Sequence, residues 1–169
     1  MTFEKTNLLA LDEIARIVSD ARSRIGRLGI DQWQYGYPSR DVIAEDIRAG
    51  RSFVAKDEDG SLCAVFTVIF DGEPIYDRIF DGEWACAGDE YLAVHRIAVA
   101  ENKLRRGVAG SCMKYVEDMA KEMGRKSVRI DTHLGNTPMR GMLERNGYVH
   151  CGSVYLENGE HRVAYEKVI

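Results

Sequence analysis

Long apolar runs are missing from this sequence, and no segment approaches membrane-spanning length. The first residues, MTFEKTNLLALDEIARI, lack the basic-then-apolar pattern of a secretory signal. A positive surplus is missing as well: 23 Lys and Arg stand against 27 Asp and Glu, for a net charge of −4. That balance argues against nucleic acid as the main partner, because a phosphate backbone is held by a basic face. The four cysteines, Cys63, Cys86, Cys112 and Cys151, have no paired spacing. They read as buried free thiols of a cytoplasmic protein, which argues against zinc and disulfides. Neither GxxxxGK followed by Ser or Thr nor GxGxxG occurs, which disfavours the common nucleotide-binding loops. Repeats, low-complexity segments and linkers are absent too. What remains is 169 residues, 45% of them hydrophobic, enough to fill the core of one compact domain spanning 1–169.

The chain is organised around Tyr91 to Ala120. Leu92, Val94, Ile97 and Val99 mark a strand bounded by Asp89-Glu90 and Glu101-Asn102. Val108, Cys112, Tyr115, Val116, Met119, Ala120 and Met123 recur at three- and four-residue spacing, the signature of one helix face. Between them lies a basic, glycine-containing turn, Leu104-Arg105-Arg106-Gly107-Val108-Ala109-Gly110. Small residues let backbone approach a ligand, and the first turn of a helix offers N–H groups without internal partners and a positive dipole end. An anion site, a pyrophosphate site above all, is one reading of that turn. A surface turn closed by glycine is the other.

Before this stretch, Leu8 to Leu28 predicts an amphipathic helix with Asn7 as its cap. An aromatic loop with Trp33, Tyr35 and Tyr37 follows, either lining a pocket or covering a core edge. Ser39 caps a second, short helix ending at Gly50. Ser52–Lys56 and Leu62–Phe70 form a hairpin about the Asp57-Glu58-Asp59-Gly60 turn, and the second strand is apolar enough to be central. Residues 71–89 are irregular and glycine-rich, with Tyr76, Phe80 and Trp84; long loops of this kind are usually functional or mobile. After the central helix come a strand, Ser127–Thr132, a helix opening at Thr137-Pro138 and ending at Asn146-Gly147, and a hairpin of Val149–Leu156 with His161–Val168.

Together with this layout, HRIAV (His95 to Val99), RRGVAG (Arg105 to Gly110), Asn136 and ERNGY (Glu144 to Tyr148) resemble the GNAT (Gcn5-related N-acetyltransferase) superfamily across nearly the whole chain. The family's turn pattern is Gln/Arg-x-x-Gly-x-Gly/Ala; Gly107 and Ala109 match, and Leu104 departs from it. The resemblance implies an α+β (α/β) fold with a mixed central sheet of about six to seven strands and about four helices in three layers, α/β/α. It implies acetyl-CoA as cofactor. Backbone N–H groups of Leu104, Arg105, Arg106, Gly107, Val108, Ala109 and Gly110 would hold its pyrophosphate. Its pantetheine arm would pair beside Ile97, Ala98 and Val99 like an added strand. Asn136 matches the side chain that reaches this arm; a cap ahead of Thr137-Pro138 is its other reading, and both can hold at once. Met139 and Arg145 complete the cofactor set.

Acetyl transfer to an amine needs a base, a donor to the developing oxyanion and a route for the thiolate to leave. The resemblance places the oxyanion donor among the N–H groups of Ile97 to Val99. The tyrosine that many members use as acid is replaced by Leu143, which leaves the thiolate to another group or to unaided departure, reasonable for a thiol with pKa about 8.5. Histone-modifying members carry their glutamate base where Ala93 stands. His95 shares its parity if no bulge intervenes, and an imidazole titrates near neutrality. Catalytic candidates are therefore His95, Glu73 and Glu90, with Asp71 and His133 as further options and a structural His95 as the alternative. Trp33, Tyr35, Tyr76 and Tyr155 are candidate substrate walls, and the acidic residues suit a primary amine on a small molecule, a protein N-terminus or a lysine. The expected partners are acetyl-CoA and that amine, without nucleic acid or membrane. A homodimer is an allowed state, since the family often dimerises. A non-catalytic acyl-CoA-binding module is the competing function.

Overall fold

The computed structural model describes residues 1–169. It contains seven strands: β1 (Thr2–Lys5), β2 (Ser52–Lys56), β3 (Leu62–Ile69), β4 (Tyr91–Val99), β5 (Ser127–Thr132), β6 (Val149–Tyr155) and β7 (His161–Val168). Four α-helices accompany them: α1 (Leu11–Gly26), α2 (Arg40–Arg48), α3 (Val108–Glu122) and α4 (Thr137–Arg145). The sheet is mixed, with strand order β1-β2-β3-β4-β5-β7-β6. By internal packing the chain divides into Met1–Val68 with Arg96–Cys112, and Ile69–His95 with Met113–Ile169.

In the first unit, Asn7 caps as its sequence suggests, its Oδ1 accepting the Leu9 N–H at 2.9 Å. The cap opens a 3-10 turn over Leu8–Ala10, so α1 starts later than the periodicity predicts and Leu8 stays 47% exposed. Leu11, Ile14, Ile17, Val18 and Ala21 bury one stripe of α1 against Ile43, Ala44 and Ile47 of α2 and Val54, Leu62 and Val65 of the sheet. Burying each of the Leu, Ile and Val side chains contributes about 1.5–3 kcal/mol. Ser39 caps α2 by accepting the Val42 N–H at 3.2 Å. β2 and β3 form the expected hairpin, closed by Asp57 N–H to the Ser61 carbonyl at 3.0 Å and by Gly60 in the left-handed region. Every residue of β3 is buried, as its continuous apolar run requires. β1 is the strand that the hydrophobic pattern does not show. It pairs antiparallel with β2, and its only large apolar side chain, Phe3, is half-buried.

In the second unit, β4 and β5 run parallel from Tyr91↔Ser127 to Val94↔Ile130, where the register ends. β7 pairs antiparallel with both β5 and β6, and β6 carries one extra residue between His150 and Gly152. The long segment between β3 and β4 is tied down at several points. Its Pro74–Tyr76 stretch forms a 3-10 turn, Phe80 bridges Ser153, and the Trp84 indole donates to the Tyr76 carbonyl at 2.9 Å. The N–H groups of Ala85 and Cys86 both donate to the Glu166 carboxylate. That carboxylate also accepts from Ser127 and Arg129, which lies opposite it in the β5–β7 register. The Arg129 guanidinium sits 4.3 Å from the Trp84 ring centre and 4.0 Å from that of Tyr91. The charged groups are buried, but each has partners, which is the condition for tolerating charge inside a protein.

By sequence, residues 108–112 of α3 belong to the first unit and residues 113–122 to the second. Val108, Cys112, Val116 and Ala120 are buried as its periodicity predicts, with Met113 and Glu117 buried beside them. Met123 lies past the last residue of α3 and is 46% exposed, so it is not part of the helix's apolar face.

Candidate active site

The β4 register is unbroken from Tyr91 to Val94 and no residue of the strand before Arg96 has positive φ, so Tyr91, Ala93 and His95 share one side of the strand. The irregularity comes one residue later, at Arg96, whose φ is +51. The condition that the sequence set for His95, no bulge before it, is therefore met. On that side His95 lies beside Tyr76, ring centres 5.9 Å apart, and Tyr76 lies beside Tyr91 at 6.1 Å.

His95 Nε2 is 2.8 Å from Glu73 Oε2. Glu73 reaches this place because its own backbone is fixed. Its N–H donates to the Tyr91 hydroxyl at 2.9 Å, its carbonyl accepts the Tyr76 N–H at 2.8 Å, and Pro74 after it starts the 3-10 turn. On the other side of the ring, Nδ1 is 3.9 Å from Asp131 Oδ2, and that same oxygen accepts the Tyr76 hydroxyl at 2.6 Å. A neutral imidazole has one N–H and a carboxylate only accepts, so the neutral ring can serve one of its two carboxylate neighbours at a time. The side chains of His95 and Glu73 are 17% and 20% exposed, accessible to a small group but mostly shielded. Burial, with the Asp131 charge second, raises the Tyr76 hydroxyl well above the ordinary tyrosine value, so it stays a donor to Asp131.

Of the catalytic candidates, then, the structure brings His95 and Glu73 together and leaves Glu90 elsewhere. Glu90 precedes β4, is exposed and pairs with Lys126, while four strand steps, about 13 Å, separate Tyr91 from His95. Tyr76 is 1% exposed, a core residue with its hydroxyl engaged. Tyr155 is 42% exposed, flanked by Phe80 and His161 with ring centres 5.2 and 5.5 Å away. Trp33 is half-buried against the α1–α2 core, while Tyr35 is 83% exposed. Asp131 was not among the sequence candidates. Its signal was faint: one carboxylate near the end of the SVRIDT strand, next to His133, whose Nδ1 accepts the Gly135 N–H instead.

The turn before α3 is open and basic. Arg105 and Gly107 both have positive φ, +59 and +75, and a Cβ added at Gly107 would meet nothing within 4 Å. Arg105 and Arg106 are exposed, and the first turn of α3 carries no acidic residue. Ile97 and Ala98 are buried, and the Val99 carbonyl accepts Arg24 Nη2 at 2.7 Å. In the second unit, Asn136 is buried and caps α4, its Oδ1 accepting the Met139 N–H at 3.2 Å. Arg145 is exposed and lies back along its own helix over Gly141. Leu143, where the resemblance expects a tyrosine acid, is fully buried.

A family model described as Acetyltransferase (GNAT) family matches residues 20–148. No curated protein matches the chain in sequence. Among solved structures, a GNAT-family acetyltransferase from Streptococcus agalactiae is 32% identical, with a TM-score of 0.88 over 99% of this chain and 95% of that one. A GNAT-family acetyltransferase from Listeria monocytogenes shares the fold at 20% identity and a TM-score of 0.74, covering 99% and 94% of the two chains. The ribosomal-protein-S18-alanine N-acetyltransferase of Escherichia coli does so at 13% and 0.66, covering 99% and 93%. The chain belongs to the GNAT acetyltransferase family. It is thus an acyltransferase that depends on acetyl-CoA. No helix is long and apolar enough to cross a membrane.

Proposed function

We propose that residues 1–169 form one N-acetyltransferase domain. It moves an acetyl group to a primary amine, on a small molecule or on a protein or peptide, by direct attack in a ternary complex. The observation that carries this reading is the 2.8 Å contact between His95 Nε2 and Glu73 Oε2. An amine attacks only after losing a proton, and this pair is a carboxylate and an imidazole joined by one hydrogen bond. One of them takes the proton from the amine, directly or through a water, and the other orients it through the hydrogen bond. Where His95 is the base, Glu73 stabilises the imidazolium that forms. Glu90 has no part in this scheme.

Acetyl-CoA supplies a thioester whose carbonyl carbon is open to attack by the amine. The chain's own groups bind and orient. N–H groups from Leu104 to Gly110 face the pyrophosphate, with Arg105 and Arg106 adding charge. The backbone from Ile97 to Val99 pairs with the pantetheine arm and gives an N–H to the oxygen that gains charge. Asn136, Met139 and Arg145 complete the cofactor contacts, Asn136 while capping α4. Of the candidate substrate aromatics, Trp33, Tyr35 and Tyr155 are exposed or half-exposed, and Tyr76 supports His95 from the core. A covalent acetyl-enzyme through Cys63, Cys112 or Cys151 is disfavoured. Burial pushes the Cys112 thiol up to about 12 and raises those of Cys63 and Cys151, which keeps them from the thiolate form that a nucleophile needs. With Leu143 buried, the CoA thiolate leaves without a tyrosine acid.

The test is a melting screen of the purified protein with CoA, acetyl-CoA, ATP and NAD, then thiol release with polyamines, amino acids, aminoglycosides and peptides. A melting rise with the CoA species and thiol release with one amine class is the expected result. Stabilisation by acetyl-CoA with no release on any amine would favour the non-catalytic acyl-CoA-binding module.

A further inference from the structure

Arg96 is a non-glycine residue in the left-handed region inside β4, with φ +51. L side chains disfavour that region, and such a conformation persists only where its surroundings hold it. Here the surroundings are explicit. Arg96 Nε donates to Asp46 Oδ2 at 2.6 Å and Nη2 donates to Asp46 Oδ1 at 2.8 Å, a two-pronged pair from β4 to α2. Asp46 is 8% exposed and is itself anchored, since its Oδ2 accepts Thr67 Oγ1 of β3 at 3.0 Å. The third guanidinium nitrogen, Nη1, donates to the Tyr37 hydroxyl at 2.7 Å. Tyr37 closes the aromatic loop that carries Trp33 and Tyr35, and its carbonyl accepts Arg22 Nε at 3.3 Å. One planar group thus holds three things: the strand irregularity, the carboxylate on α2 and the end of the aromatic loop. The first N–H groups after the irregularity are those of Ile97 and Ala98.

We infer that Asp46 is a positioning residue for acetyl transfer. By clamping Arg96 in its left-handed conformation, it aims the Ile97 and Ala98 N–H groups at the carbonyl oxygen that gains charge. Through the same guanidinium it ties the acceptor-side loop to that donor. This role rests on the acetyl transfer proposed above.

The backbone part of the inference separates from the loss of a side chain in a paired comparison. Arg96→Gly and Arg96→Ala both delete the guanidinium, but only glycine takes a positive φ freely. Arg96→Gly is expected to retain about tenfold more kcat than Arg96→Ala, at equal acetyl-CoA affinity. Asp46→Asn is expected to lower kcat by about 10²–10³-fold, the effect of losing an aimed oxyanion donor, while acetyl-CoA affinity holds. Amide exchange at Ile97 and Ala98 in Asp46→Asn should speed up by about tenfold or more, a readout that needs no turnover. Equal kcat for the glycine and alanine variants, or unchanged exchange in folded Asp46→Asn, overturns the clamp. Where Asp46→Asn does not fold, the Arg96 pair carries the test alone. Wild-type protein with no turnover on any amine overturns the acetyl-transfer reading and this role with it. Wild-type turnover with indifferent variants overturns the clamp alone.

Discussion

Glu73 and His95 are 22 residues apart in sequence, and their contact depends on groups that fix Glu73 rather than on Glu73 itself. Tyr91 holds its N–H, Tyr76 its carbonyl, and Asp131 holds Tyr76. His95→Ala and Glu73→Gln are each expected to lower kcat by about 10²–10⁴-fold with acetyl-CoA affinity and melting temperature little changed; calorimetric titration beside steady-state kinetics checks this. The Arg129–Glu166 pair behaves differently. Its charges are buried, and removing one partner strands the other, so Glu166→Gln is expected to cost about 3–5 kcal/mol in a denaturant titration. The residue types of the site were legible in the sequence, because a histidine inside an apolar strand and acidic residues in a long loop stand out. Which acid meets the histidine was not. Glu73 and Glu90 look alike as letters, and only the turn at Pro74 and the position of Glu90 ahead of β4 separate them. Asp131 escaped notice because a carboxylate at a strand end usually marks solvent, whereas this one is held inside by Tyr76.

The elements most legible in the sequence were those with a local cause. The caps at Asn7 and Ser39, the hairpin turns at Gly60 and Gly159, and the strand bounds Ser52–Lys56, Ser127–Thr132 and His161–Val168 all follow from a few neighbouring residues. β1 was invisible for the opposite reason. Four mostly exposed residues at a sheet edge carry almost no alternation, and β1 exists because β2 offers it a ladder. The turn into α3 carries its own prediction. Open space surrounds the position where a Gly107 side chain would go, and Gly107 has positive φ. Gly107→Glu therefore adds strain, bulk and negative charge on the proposed phosphate side while leaving the packed face of α3 alone. Acetyl-CoA binding is expected to be abolished, with the protein still folded by circular dichroism. Unchanged affinity in a binding titration would mean that the turn does not hold the pyrophosphate.

At the scale of the molecule, two buried tyrosines contribute a pH-dependent part of the stability at alkaline pH. Burial holds the Tyr76 and Tyr148 hydroxyls above the usual tyrosine value, so the unfolded chain surrenders their protons near pH 10 while the folded chain keeps them. Stability from this source is intact below about pH 10 and falls as pH rises above it, by up to about 1.4 kcal/mol per pH unit for each tyrosine. Denaturant melts between pH 9 and pH 11 should show a shallower fall for Tyr76→Phe than for the wild type. An equal slope would exclude Tyr76 as a source. Strand, turn and helix around Gly107 made the family of the chain legible, because their order is a local pattern, and the family match over residues 20–148 agrees with it. The acceptor was beyond their reach, since exposed aromatics such as Tyr35 and Tyr155 suit many amines alike. The most direct measurement is mass spectrometry of amines incubated with the protein and isotopically labelled acetyl-CoA, with free thiol counted in parallel. The expected result is one amine class carrying the labelled acetyl group, matched one-for-one by thiol, and product formation collapsing in His95→Ala. Protein that binds acetyl-CoA yet labels no amine, or labels it equally well without His95, would contradict the proposed chemistry.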